Sequence, residues 1–378
     1  MYIFKNKVLI VVIIALSFDF LLSHFVLKKT NLWIKNLYQG KPWRIASSIY
    51  HHDLKPFVNV TEKWGSNKQI LITNSLGFRD SEKRVVKKDK ENRILLIGDS
   101  FIEGLGYNYE FTLSGLLANK YKNNYAVLNS AVSSYSPSIY YFKTKYLIDN
   151  GYNFNKALVF LDVSDIVDEL YIKFDNDGKI IPPQKIESKK SIKSYVYSLS
   201  YYLRDNFITF RFISILSDRT EILKNSIKNR YFASKFYNKN FFSISKKEST
   251  IYKMINVDRG NWTSNEKNFK DVKEGILISE KYLSKLFNLL KENNIDSTLI
   301  VYPWPRQIYY EDKFHQTYWK NFSSKNNIKF LNLYSYFLNN EKNKVILDYF
   351  IHDDVHWNKI GTKKIFNAIV EKNILNLP

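Results

Sequence analysis

Apolar residues along this chain fall into three kinds of run. Short uncharged blocks, Ile94 to Ile97, Tyr125 to Leu128, Ala157 to Leu161, Ser297 to Val301 and Phe330 to Leu333, have the length and continuity of strands buried on both faces. Between them lie helical spacings such as Leu113, Leu116, Leu117 and Tyr282, Leu283, Leu286, Leu289, Leu290. Five strands alternating with helices predict an α/β fold, a three-layer α/β/α sandwich around a five-stranded parallel sheet. The third kind of run occurs once, from Val8 to Leu27, interrupted only by Ser17, Asp19, Ser23 and His24 and flanked by Lys5, Lys7, Lys28 and Lys29. As a helix of about 20 residues it reaches about 30 Å, the thickness of a bilayer core. No small-x-small cleavage site precedes Lys28, so the pattern predicts an uncleaved transmembrane helix rather than a signal peptide. Asp19, near its middle, must then be protonated or face a partner helix.

These runs divide the chain into a membrane anchor over residues 1–29, an entry segment over 30–92 and a main domain over 93–378. The entry segment carries scattered aromatics (Trp33, Trp43, Tyr50, Trp64) and a short apolar Ile70-Leu71-Ile72, which predicts an antiparallel strand before the turn signal Asn74-Ser75-Leu76-Gly77. His51 and His52, adjacent on an extended segment, are expected to point to opposite faces as surface or packing residues. The stretch 171–267 is too long for a loop and has helical spacing at Tyr195, Leu199, Tyr202 and Leu203. It predicts a helical cap over the active face; a peripheral subdomain or a membrane-lying patch is the alternative.

Composition adds bounds rather than identity. With 378 residues, 45% hydrophobic and 16% aromatic, the chain can bury a large core. It has no cysteine, which excludes disulfides and thiolate metal sites. The net charge of +21 invites nucleic acid as a partner, but lysine is interleaved with Asn, Ile, Tyr and Phe along the whole chain and forms no basic stripe or recognisable nucleic-acid motif. A solvated basic surface, or contact with anionic glycan or lipid headgroups, fits that distribution better.

The candidate chemistry sits at the two ends of the main domain. Gly98-Asp99-Ser100-Phe101 follows the first buried strand directly, which places Ser100 at the carboxyl edge of the sheet, where open α/β sheets hold their ligands. A serine nucleophile needs a base and the base needs an orienting carboxylate, and His352-Asp353-Asp354-Val355-His356-Trp357-Asn358 supplies both near the C-terminus. His352 and His356 are four apart and would share a face on a helix, but Asp353-Asp354 before Val355 starts a helix poorly and no third ligand lies near; no metal or other cofactor is expected.

Gly98 to Gly106 and the terminal Asp-x-His resemble the first and last blocks of the SGNH (GDSL-like) hydrolase superfamily. Leu128 to Ser136 is similar to its second block, with Ala131 where a glycine N–H serves the oxyanion hole. Leu161 to Ile166 is similar to its third, with Ser164 where an Asn side chain is the other oxyanion donor. Asn74 to Asp80 and Val301 to Pro305 resemble segments of membrane-anchored bacterial members, including the alginate O-acetylation type. The resemblance implies the flavodoxin-like SGNH fold, Ser100 as nucleophile, His356 as base and an oxyanion hole from Ser100, Ala131 and Ser164. Trp357 favours Asp354 as the orienting carboxylate, with Asp353 the alternative. It also implies an esterase or O-acyltransferase that moves O-acetyl groups on cell-envelope polysaccharide from the extracytoplasmic side of the membrane, with a membrane-bound acyl donor protein as a further partner. Ser164 in the Asn position motivates the alternative of a weak or inactive domain that binds glycan or serves as a scaffold.

Overall fold

The computed structural model describes residues 2–29, 43–183 apart from 66 and 89–91, and 199–377 apart from 201, 204, 205, 265, 339 and 340; the side chains of 2–9, 12, 26–29, 211, 215, 218 and 266–271 also lie outside that description. The chain divides into two compact units, Trp43–Lys185 with Ser245–Pro378, and Met1–Pro42 with Ile186–Ile244.

The larger unit is built on five parallel strands, β5 (Arg93–Ile97), β6 (Ala126–Asn129), β7 (Lys156–Leu161), β8 (Asp296–Val301) and β9 (Lys329–Asn332), in the order β6-β5-β7-β8-β9. Each expected strand is present within a residue or so. Every residue of β5 is buried, and so are the last five of β7 and the last four of β8. Successive strand side chains point to opposite faces, so burial at every position means that helices cover both faces. The helices Pro137–Asp149 and Glu266–Glu292 pack together as one group, and Leu113–Tyr121 packs with Lys359–Glu371 as another. The sheet is therefore the middle of three layers. The order places β5 between β6 and β7, so that the chain reverses direction of travel across the sheet beside Ser100.

Before the sheet come two hairpins, β1 (Arg44–Ser47) with β2 (His51–Leu54) and β3 (Asn59–Trp64) with β4 (Asn67–Ile72). The expected strand at Ile70-Leu71-Ile72 is the end of β4. His51 departs from the expectation of opposite faces. Its φ of 80° turns the strand start, and its Nδ1 comes within 2.8 Å of His52 Nδ1, while His52 Nε2 lies 2.8 Å from the Ser133 carbonyl. The hairpins are tied to the sheet by charge. Arg44 on β1 gives two hydrogen bonds to the buried Glu103 carboxylate, at 3.0 and 2.6 Å, and reaches Glu62 of β3 at 3.4 Å. Arg79, fully buried, donates to the carbonyls of Glu103, Gly104 and Tyr107. The segment Asn74 to Asp80 thus holds the far end of the short helix Ser100–Glu103.

The expected 171–267 insertion is split. Lys246–Ile255 and the turns up to Ser264 belong to the larger unit, whereas 186–244 belongs to the other. Residues 184–198, which include the expected helical position Tyr195, lie outside the described residues. The smaller unit contains the helices Tyr2–Lys29 and Ile208–Phe236. Among the described residues no helix is long and apolar enough to cross a membrane; the expected span Val8 to Leu27 falls partly on side chains outside them.

Gly77 tests how the entry segment is closed. Its φ is 74°, and a Cβ there would meet the Leu54 carbonyl oxygen at 2.2 Å. Gly77→Ala is expected to destabilise the larger unit by about 1–3 kcal/mol from backbone strain alone, read as a lowered midpoint in thermal or urea unfolding. An unchanged midpoint would show that the turn relaxes freely.

Candidate active site

The site begins with a helix start. β5 ends at Ile97, and Asp99 caps the helix Ser100–Glu103 by accepting the Phe101 N–H at 3.0 Å. That cap puts Ser100 at the first helical position, with its side chain at the sheet edge and only 8% of the residue exposed. His356, also 8% exposed, arrives from a turn after the helix Lys342–Tyr349, and its Nε2 lies 2.8 Å from Ser100 Oγ. On its other side His356 Nδ1 lies 2.5 Å from Asp354 Oδ1, and the same oxygen accepts the His356 backbone N–H at 3.0 Å. Burial raises the Asp354 carboxyl, but the imidazole beside it and the Trp64 indole outweigh that and bring it down to about 2.

Asp353 is elsewhere. Its carboxylate accepts from Thr250 Oγ1 at 2.9 Å and pairs with Lys253 at 3.7 Å, both on the helix Lys246–Ile255. Its φ of 63° turns the chain so that consecutive aspartates face different ways. His352 is exposed in the same turn, so the two histidines do not share a helix face.

The expected oxyanion donors from the middle of the chain are already engaged. Ala131 is buried and gives its N–H to Asn129 Oδ1 at 3.1 Å. Ser164 gives both its N–H, at 2.6 Å, and its hydroxyl, at 2.8 Å, to Asp162 Oδ1. For Ser164 the cause is capping: Asp162 is the cap of the helix Val163–Asp168 and Ser164 lies in its first turn. Ser100 N–H remains, as one of the groups at a helix start without an intrahelical acceptor.

Two features were not visible in the sequence. Trp64, at the end of β3 and opposite Asn67, donates its indole N–H to Asp354 Oδ2 at 2.8 Å and packs edge-on to the His356 ring at 5.2 Å between centroids. No local signal connects it to Asp354, 290 residues away. The second is a carboxyl cluster. Ligand oxygens of Asp99, Asp162 and Asp165 lie within 4.8 Å of one another, all buried. Donors surround them: Tyr302 to Asp99, Trp304 to Asp162 and Tyr140 to Asp165. Burial, then the neighbouring Asp162, pushes Asp99 up to about 7, and the same causes hold Asp165 well above the usual carboxyl range. Ser100 Oγ is 2.9 Å from Asp99 Oδ2 as well as 2.8 Å from His356, with one hydroxyl proton for the two.

Around Ser100 and His356, Phe101, Tyr302 and Trp357 form an aromatic wall, with the Phe101 ring 4.6 Å from that of His356. Beside Ser100 and His356 lies a cavity of about 10 Å³ lined by Leu105, Tyr107, Phe111 and Thr112 among others. That is room for about one water.

No family model matches the chain, and no curated protein matches it. Several solved structures are similar in part. The psychrotrophic esterase EstA from Pseudoalteromonas sp., inhibited by monoethylphosphonate, is 12% identical, covering 76% of this chain and 100% of its own, with a TM-score of 0.37. A lipase/acylhydrolase from Enterococcus faecalis is 10% identical, covering 76% and 97%, at 0.37. A mutant of the esterase AlinE4 is 13% identical, covering 77% and 98%, at 0.33. Likenesses at this level carry no functional argument.

Trp64→Phe keeps an aromatic ring against His356 and removes the bond to Asp354. A hydrogen bond to a charged group contributes about 1.5–3 kcal/mol, so turnover of an activated acetyl ester by this site should fall roughly 10- to 100-fold, with folding preserved. Equal activity in the two proteins would show that Trp64 only packs.

Asp99 sets a pH dependence of stability. Its carboxyl ordinarily titrates near 3.8 and in the fold near 7, so the fold keeps a proton that the unfolded chain has given up. The stability it contributes is complete below about pH 4 and is lost as pH rises through about 7. Asp168 and Glu169, both pushed up to about 7 chiefly by burial, act in the same direction. Burial pulls His51 and His52 down to about 4 and His315 to about 3, and these act the other way below about pH 6.5, so the test is the difference between two proteins: from pH 5 to pH 8 the unfolding midpoint of the wild type should lose ground against that of Asp99→Asn. A difference between the two proteins that stays constant across this window would contradict the assignment.

Proposed function

We propose that this chain is an SGNH-type serine acyl esterase or O-acyltransferase acting through Ser100, His356 and Asp354. The observation that carries the reading is the unbroken chain from Ser100 Oγ through His356 Nε2 and Nδ1 to Asp354, at 2.8 and 2.5 Å. Its position after β5, at the reversal point of a five-stranded parallel sheet, supports the same reading. His356 takes the Ser100 hydroxyl proton as Oγ bonds to the acyl carbon, and Asp354 stabilises the imidazolium that results. The carbonyl electron pair moves to oxygen, where Ser100 N–H faces it. His356 then returns the proton to the departing alcohol, leaving the acyl group on Ser100. Water or a sugar hydroxyl, deprotonated by His356, attacks next and restores the serine.

The small cavity favours a small acyl group, and O-acetyl on an envelope polysaccharide is the substrate proposed. The basic surface fits an anionic glycan. Exposed apolar side chains from Ile10 to Phe25 on the helix Tyr2–Lys29 support a membrane anchor, with the larger unit on the extracytoplasmic side and a membrane-bound acyl donor protein within reach. The engaged N–H of Ala131 and hydroxyl of Ser164 favour a second reading, a slow or inactive domain that binds glycan as a scaffold.

A fluorophosphonate separates the two. Under the enzyme reading it labels wild-type protein at Ser100 and fails on Ser100→Ala and His356→Ala. Each of those variants should lose about 10³-fold or more of turnover on an acetyl ester, by similar factors, because the residues act as a unit. Asp354→Asn should be severe and Asp353→Asn mild. Absence of labelling in folded wild-type protein would sink the enzyme reading and leave the binding one; release or transfer of acetyl from isolated envelope polysaccharide then distinguishes esterase from transferase.

A further inference from the structure

The helix Ile208–Phe236 carries an apolar face that nothing in its own unit covers. Ile213, Leu216, Leu223, Ile227 and Tyr231 are each 46–61% exposed, and at 100° per residue they fall within about 80° of one another. The exposed cations Lys224, Lys228 and Lys235 run along one side of this stripe and Arg219 along the other. This exposed stripe, interrupted by Thr220 and joined by Ile222 and Phe232 off its edges, is unfavourable in water, and six lysine and arginine residues against two carboxylates make the helix too costly to cross a bilayer. That pattern, an apolar stripe with a cationic margin, is the one that lies in the plane of a lipid interface.

A second observation ties the start of this helix to the first. Asp19 Oδ1 accepts the Ile208 N–H at 3.1 Å, Asp19 Oδ2 accepts the Thr209 N–H at 3.3 Å, and Ser23 Oγ accepts the Ile208 N–H at 2.6 Å. Ser23 is buried, and Phe20 packs on Phe207 with centroids 5.6 Å apart. Two of the four polar residues in the run Val8 to Leu27 therefore cap the start of the second helix, where the amides need acceptors and the helix dipole favours a carboxylate. Measured along the first helix, Ser23 and Asp19 lie about 6 and 12 Å from Leu27. An interfacial helix sinks its apolar face about 5–10 Å below the headgroups. The cap thus holds the second helix at the depth where its stripe meets acyl chains and its lysines meet anionic headgroups.

We propose that Ile208–Phe236 is a membrane-docking helix, laid on the bilayer crossed by the first helix and held at the headgroup boundary by Asp19 and Ser23. This rests on Val8 to Leu27 being a membrane span. The chain has no cysteine, so single-cysteine variants of the full-length protein can be tagged with bimane and reconstituted in vesicles of phosphatidylglycerol and phosphatidylethanolamine. A fraction of the lipid carries a spin label high on the acyl chain. Bimane at Ile14→Cys, Leu216→Cys and Ile227→Cys should lose at least half its fluorescence to the spin-labelled lipid, while Asn225→Cys, on the opposite side of the second helix, should change little. Adding Asp19→Ala should bring Leu216→Cys to the level of Asn225→Cys and leave Ile14→Cys quenched. Quenching at Ile14→Cys with none at Leu216→Cys and Ile227→Cys would overturn the docking proposal and leave the span standing, with water or another protein on the stripe. No quenching at Ile14→Cys would overturn the span and the proposal together. Quenching at Leu216→Cys that survives Asp19→Ala would overturn the role of the cap.

Discussion

Asp99 and Asp162 close two neighbouring strand-to-helix turns at the carboxyl edge of the sheet, and their carboxyls converge with Asp165. Each must cap its helix, since the first N–H groups of a buried helix have no other acceptor. Capping from adjacent strands brings like charges together in a buried place, which raises the proton affinity of Asp99 and Asp165, and hydroxyl and indole donors from Tyr140, Tyr302 and Trp304 offset the repulsion. The site inherits its geometry from this arrangement. Ser100 stands at the start of one capped helix, and Ser164 is drawn into the cap of the other.

The rest of the machinery is brought to that edge by long-range packing. Glu103, at the end of the Ser100 helix, is buried, and it is compensated by Arg44 and by the Ser133 N–H at 2.7 Å. A buried charge with all its partners in place is tolerated, and the same charge with one removed is not, so the hairpins of the entry segment are bound to the helix that carries Ser100. Through β3 they also carry Trp64 to Asp354. The entry segment is in this way part of the site rather than a leader to it.

Access to Ser100 constrains the chemistry proposed for this site. Ser100 and His356 are each 8% exposed behind Phe101, Tyr302 and Trp357, beside a cavity of about 10 Å³. Hydrolysis and transfer share the acyl-serine, and they differ only in whether water or a sugar hydroxyl reaches it first.

The sequence by itself determined the five strands, because a parallel strand covered on both faces must be a short, uninterrupted apolar run, and such runs are visible without neighbours. It also determined that a serine would follow the first strand and that an Asp-x-His would come near the C-terminus. Only the tertiary structure decided which aspartate reaches His356, because the left-handed backbone at Asp353 sets two adjacent, chemically identical side chains on different partners. It decided likewise that His51 and His52 meet, that the Ser164 hydroxyl is consumed by Asp162, and that Trp64 orients Asp354. Each of these depends on a φ angle or on contacts between residues far apart in the chain, and neither leaves a periodicity or a spacing in the order of the amino acids.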